Sequence, residues 1–277
     1  MTDNGENDGL SQEIIPQYPY NGRDNFLAIL DHEFTPPFAK NEFLLCTNIS
    51  DGQFQRDFLH SDENDENDKR ILRSVKEYSS SSQSLLVKMH SAPHEQAISA
   101  LVQLITEKAV RQGISDELNF PRSESRRLHP GQNTIIKEAD DSIVPMAFRD
   151  RGSPTITIEV ARSESDVQLQ RDAENWLVGS HGQVLSVITI LVRQESHDLV
   201  LRRWTMQSGA PAVAQEVLVN VHRSRLRNQD RFNVSGGPFT IPFFHLFLRQ
   251  PNPNSNEADF QFTAVDLDRL ARRTWNL

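Results

Sequence analysis

Apolar and polar residues alternate most cleanly from Thr155 to Ala161, where Ile156, Ile158 and Val160 fall on one side and Thr157, Glu159 and Ala161 on the other. A period of two puts successive side chains on opposite faces, so this segment predicts a strand. The period then changes. Ser165 followed by Gln168 is a capping-box pattern, and Leu169, Ala173, Trp176 and Leu177 form one helical face. Gly179 to Gly182 ends that helix. Val184 to Val192 is almost continuously apolar and rich in β-branched residues, which predicts a central strand buried on both faces. Leu199 to Trp204 predicts its antiparallel neighbour across the polar RQESHD turn.

Further elements flank this core. Leu85 to Met89 predicts a short strand. Pro93 suits a first helical turn, Ile98, Leu101, Val102, Ile105 and Ala109 repeat at helical spacing, and Gly113 stops the run, so a helix is expected over 93–111. Thr134 to Pro145 reads as extended. Toward the C-terminus come a strand or exposed ribbon over 213–223, a Gly236-Gly237-Pro238 turn and an apolar run from Phe239 to Leu248 broken by Pro242. A short strand near Asp259–Thr263 and a helix starting at Asp266 close the chain. The order helix, extended strand, strand, helix, strand, strand predicts one mixed α/β domain over residues 78–277, with no internal repeat.

The front of the chain has a different composition. Residues 1–23 are polar and acidic and are expected to be disordered. Residues 24–77 carry scattered apolar residues and read as an extension packed on the main body. Within it, 61–70 (SDENDENDKR) is expected to be a solvated acidic loop. The first seventy residues hold 15 acidic and 5 basic residues and the remainder 23 and 24, so the net charge of −9 belongs to the front segment. The near-neutral body neither excludes nucleic acid as a partner nor requires it. One cysteine, Cys46, rules out an intramolecular disulfide, and the N-terminus MTDNGENDGL is not a secretory signal. No apolar run approaches the roughly 20 residues needed to cross a bilayer. An intracellular chain, in cytoplasm or nucleus and without a membrane partner, is the expectation.

Two acidic residues concentrate the candidate chemistry. Asp140, in KEADDSIVP, and Glu159 flank the turn FRDRGSP, a spacing that suits a hairpin bringing both to one face. Paired carboxylates on neighbouring strands make a magnesium site, to which the Val160 carbonyl adds a third oxygen. Glu159 is the more telling, because an unpaired carboxylate inside an apolar strand is costly. Asp140 near a proline-containing turn can equally be a turn or cap residue, and Asp141 is the adjacent alternative. Arg122, Arg126, Arg127 and His129 form a basic stretch that is either a solvated loop or a contact for a phosphate backbone. The histidines show no clear metal-ligand spacing. Trp176 and Trp204 read as core, and Ser163 and Ser165 as caps.

KEADDSIVP, TITIEVARSES, LQRDAENWL, the buried strand and the RRW strand together resemble the PD-(D/E)XK nuclease superfamily, which includes type II restriction enzymes. They are most similar to a fungal group of restriction-endonuclease-like proteins of unknown role. The likeness covers roughly residues 78–275, including LLVKMHSAPHE and VDLDRLARRTW. It implies a restriction-endonuclease-like core, a central mixed sheet flanked by helices. It also implies Mg2+-dependent hydrolysis of DNA phosphodiesters, with Mn2+ as a substitute. By position, Asp140 matches the motif aspartate, Glu159 the second acid, and Ala139 replaces the usual proline. Ala161 stands where the motif has a lysine that orients the attacking water. Superfamily members also supply that group from the following helix, which points to Gln168 and Arg171, three residues apart on one face. Gln168 carries no charge, and Arg171 is too basic to act as a base. Glu95 matches an acidic residue that some members add to the site. Three readings follow: a magnesium-dependent nuclease acting on DNA, a catalytically inactive nuclease-fold protein that binds nucleic acid or protein, and a structural or interaction protein that keeps only the fold.

Overall fold

Two sheets meet where the chain passes between them at Ala139 and Asp140. On one side of this step, strand β7 (Ile135–Glu138) belongs to a six-stranded sheet; on the other, β8 (Asp141–Pro145) belongs to a seven-stranded one. The computed structural model describes residues 15–34, 42–59, 65–121, 125–128, 134–147, 153–162, 166–224 and 231–277.

The seven-stranded sheet holds the elements whose periodicity was plainest. Its order is β13-β12-β11-β10-β9-β8-β5, comprising β5 (Leu118–Asn119), β8, β9 (Ile156–Arg162), β10 (Ser186–Val192), β11 (Leu199–Gln207), β12 (Ala210–His222) and β13 (Arg231–Ser235). β9 and β10 are parallel and the other pairs antiparallel, so the sheet is mixed. Ile156, Ile158 and Val160 face the core built with α4 (Ala92–Gln112) and α7 (Ala264–Trp275). On the opposite face, Ala161 packs against Leu169 of α5 (Asp166–Gly179). Cover on both faces explains why every β10 residue is buried. α4 stops where Gly113 adopts φ 75°, a left-handed conformation natural to glycine at a helix end. Pro242 ends strand β14 (Phe239–Ile241) and opens the short helix α6 (Phe243–Phe247); β14 pairs with β15 (Phe260–Phe262).

The front of the chain departs from expectation. Gln17–Pro19, within the stretch expected to be disordered, forms β1 and pairs in parallel with β2 (Phe43–Thr47). Residues 1–14 lie outside the described residues. β1 and β2 join β3 (Val75–Ser79), β4 (Ser84–Lys88), β6 (Ser125–Leu128) and β7 in the order β1-β2-β4-β3-β7-β6. Residues 24–77 are therefore no appendage: they share one sheet with strands beyond residue 84. Helix α1 (Arg23–Phe34), the short α2 (Asp51–Phe54) and the π-helical turn Gln55–Leu59 pack Phe26, Leu30, Phe54 and Phe58 against Tyr78, Leu85 and Val87. Phe54 and Tyr78 stack with centroids 4.0 Å apart. Half of the expected acidic loop is helical as well. In α3 (Glu66–Ser74) the Asp65 side chain caps the amide of Asn67, and acidic residues crowd the positive end of the helix dipole. Ile71 anchors that helix in the core. Of the basic stretch, Arg126 and Arg127 lie on β6, whereas Arg122 and His129, like Ser163 and Ser165, fall outside the described residues. No helix among the described residues is long and apolar enough to cross a membrane.

Candidate functional site: a buried carboxylate and ammonium cluster

The inter-sheet step delivers Asp140, and β9 delivers Glu159 on the face that looks toward α5. Two lysines answer them from the six-stranded sheet. On β4, Leu85 and Val87 point into the front core, so Lys88 points the other way. On β3 a bulge intervenes: Val75 pairs with Val87 and Glu77 with Leu86, leaving Lys76 as the extra residue. The bulge lets Val75 and Tyr78, three apart, share the front core, and turns Lys76 and Glu77 to the opposite side.

The contacts are close. Lys76 Nζ donates to Asp140 Oδ1 at 2.8 Å and also to Glu159 Oε2. Lys88 Nζ lies 2.6 Å from both Asp140 Oδ2 and the Val160 carbonyl. The Val160 amide donates to Asp140 Oδ2 at 2.8 Å, and His94 Nε2 stands 3.0 Å from the same oxygen. Trp176 donates its indole N–H to Glu159 Oε1 at 2.6 Å. All four carboxylate oxygens are thus engaged. The side chains of Lys76, Lys88, Asp140 and Glu159 are at most 2% exposed. Charges so far from water persist only when paired and hydrogen-bonded.

The titration directions follow from this packing. Burial alone would raise Asp140, but Lys76, Lys88 and His94 outweigh it and hold the carboxyl well below its ordinary value. Glu159 is raised: burial dominates, and the Asp140 and Asp172 charges add to it against the pull of Lys76. Burial would lower Lys76, but Asp140 and Glu159 carry it well above the usual lysine value. His94 sits above its ordinary value because Asp140 and Glu95 outweigh burial and the Lys88 charge.

A second buried cluster adjoins the first. Lys137 Nζ contacts Asp172 Oδ1 at 2.6 Å and Glu77 Oε2 at 3.0 Å. Gln168 donates to Asp172 Oδ1 at 2.8 Å, and Asn175 to Glu77 Oε2 at 3.2 Å. The structure therefore brings Asp140, Glu159 and Val160 together and gives Gln168 a different place, supporting the Lys137–Asp172 pair. Arg171 lies on the exposed face of α5. Lys76, from another sheet, stands beside both carboxylates. Asp141 turns its Oδ1 to the amide of Ser142. Glu95, half exposed, accepts from His90 Nδ1 at 2.8 Å and lies 3.3 Å from His94 Nδ1.

A cleft of about 650 Å³ opens onto this cluster, lined by Arg70, Arg73, Lys88, His90, Glu95 and Asp140. Asp140 forms part of its wall. Periodicity passed over Lys76, Lys88, His90 and His94. A lysine inside LLVKM, at a position strand alternation can bury, was the available signal.

The magnesium ion implied by the resemblance does not fit these residues. Magnesium requires near-octahedral oxygen coordination and keeps several waters. Here Asp140, Glu159 and the Val160 carbonyl already accept N–H donors, and Lys88 bridges two of the three oxygen sources the ion would use. No protein-family model matches the chain, and no curated protein is significantly similar to it.

Proposed function

We propose that this chain is a catalytically inactive protein of the PD-(D/E)XK nuclease type that binds nucleic acid at the cleft beside Asp140. One observation carries the loss of catalysis: Lys88 Nζ bridges Asp140 Oδ2 and the Val160 carbonyl at 2.6 Å each. An ammonium thereby takes the position that the motif reserves for a metal ion. The element sequence supports the family reading. Asp140 precedes β8, Glu159 lies on the adjacent antiparallel β9, and α5 connects β9 to the parallel β10. Arg73, and Arg70 beside its partner Asp31, supply donors at the cleft suited to phosphate oxygens.

The test pairs binding with cleavage. Labelled DNA titrated with the full chain should show binding that weakens with salt, as phosphate neutralisation demands, and Arg73→Glu should reduce it. Plasmid incubated with Mg2+ should stay intact. Magnesium-dependent nicking abolished by Asp140→Ala would overturn the loss of catalysis, and absence of salt-dependent binding would remove nucleic acid as the partner.

A metal-dependent nuclease is the second reading, favoured by one observation. Lys76 places a charged nitrogen against both Asp140 and Glu159, the company that the motif lysine keeps. That reading requires Lys88 to leave the Val160 carbonyl, so Lys88→Ala separates the two. If the inactive reading holds, magnesium binding by calorimetry is absent in the parent chain and gained in that variant.

A further inference from the structure

We propose that His90, His94 and Asp140 form a site for a transition-metal dication of the zinc type at the floor of the cleft. One nitrogen of each imidazole and one oxygen of Asp140 lie within 4.8 Å of one another. His94 Nε2 and Asp140 Oδ2 are 3.0 Å apart. A tetrahedral zinc ion about 2.0–2.1 Å from each donor holds its ligands roughly 3.3 Å apart, so two ligands already span nearly the right edge. His90, on the exposed side of the cluster, supplies the third donor. Its ring centroid is 4.7 Å from that of His94.

The surroundings are those of a metal site in three respects. Glu95 receives Nδ1 of His90 at 2.8 Å and faces Nδ1 of His94 at 3.3 Å. A carboxylate on one ring nitrogen orients the other toward a metal and raises its basicity. His90 immediately precedes the Ser91 cap of α4, whose side chain accepts from the His94 amide, so the two histidines flank the start of one helix. The cluster also borders the cleft, which His90, Glu95 and Asp140 all line, leaving a fourth position open to water or an anionic oxygen. Two imidazoles, one carboxylate and an open position is a donor set typical of zinc.

This site differs from the magnesium set rejected above. It uses imidazole nitrogen, takes Oδ2 of Asp140, which also accepts from Lys88 and the Val160 amide, and needs nothing from Glu159 or the Val160 carbonyl. The ion replaces the His94–Asp140 hydrogen bond and competes with Lys88 for Oδ2, while Lys88 keeps its contact with the Val160 carbonyl.

Cobalt(II) titrated into the full chain near neutral pH is the test, since tetrahedral cobalt absorbs in the visible. One ion per chain should bind with that absorption, Zn2+ should displace it, and a large excess of Mg2+ should not. His90 is exposed, so His90→Ala should keep the parent far-UV circular dichroism. It should weaken cobalt binding by more than the roughly 10- to 100-fold that loss of an outer partner costs. Glu95→Gln should produce a smaller loss. A folded chain with no tetrahedral cobalt spectrum, or full affinity in His90→Ala, would overturn the site. The readout needs no nucleic acid, so it fails or succeeds separately from the function proposed above.

Discussion

Trp176 holds Glu159 by a single indole hydrogen bond of 2.6 Å, and both residues are buried. The contact ties the face of α5 to the strand beneath it. It also gives Glu159 a donor on the side that Lys76 does not reach. Trp176→Phe keeps an aromatic ring and deletes the donor. A buried acceptor left unsatisfied costs about 1–3 kcal/mol, and urea unfolding should show a loss in that range. A variant as stable as the parent would mean that the bond contributes nothing net.

Lys76 is the hinge of the charge cluster, since it contacts both carboxylates. Removing one partner of a buried ion pair costs roughly 3–5 kcal/mol, because the other charge stays buried. Lys76→Met should therefore destabilise by about that amount in chemical denaturation. Combining it with Glu159→Gln should cost less than the sum of the single changes, since the second removes a charge that the first stranded. Additive losses would show that the two residues are not coupled.

The two carboxylates should respond to pH in opposite senses. Asp140 is held below its ordinary value, so the unfolded chain binds that proton more tightly. Its stabilisation is full above the unfolded aspartate value of about 3.9 and is lost as pH falls through the folded value. Glu159 is raised, so the folded chain binds its proton more tightly. That contribution is present below the unfolded glutamate value of about 4.3 and is lost as pH rises through the folded value. The deficit of Asp140→Asn relative to the parent should shrink on acidification, and that of Glu159→Gln should shrink as pH rises. Urea titrations across the acid range check this, and slopes of the same sign for both variants would contradict it.

Cys46 lies in the front core, and burial pushes its thiol up to about 12. A thiolate is the reactive form. A disulfide reagent at neutral pH should label the native chain far more slowly than the unfolded one. Lys76→Met, by loosening the six-stranded sheet, should accelerate labelling. Fast labelling of the native chain would place Cys46 in an accessible environment instead.

Legibility followed the range of the interactions. β9, α5, β10, β11 and α4 were readable because each buries one face or both and so imprints a period on its own residues. The position of Glu159 opposite Ile158 and Val160 came from the same alternation. The six-stranded sheet was hidden, since its strands come from residues 17 to 138 and pair mostly across long separations. α3 was masked by the acidity of its first turn, which reads as solvation and serves as dipole complement. Lys76 and Lys88 were missed because a lysine in sequence reads as a solvated residue. Nothing local says that a bulge will turn Lys76 inward. His90 and His94 are separated by a helix cap and a proline, which disguise their proximity.

The passage from β7 to β8 through Ala139 and Asp140 carries a practical consequence for trimming the chain. A fragment beginning at residue 78 would retain Asp140, Glu159 and most of the larger sheet, and would look self-sufficient from its hydrophobic pattern. It would lack β1, β2, most of β3 and Lys76, leaving Glu159 without its ammonium, Asp140 with Lys88 as its remaining ammonium, and a raw sheet edge beside them. Expressed alone, such a fragment should be insoluble, and supplying residues 15–77 as a separate polypeptide should rescue it. The candidate site is in this sense owned jointly by the front and the body of the chain.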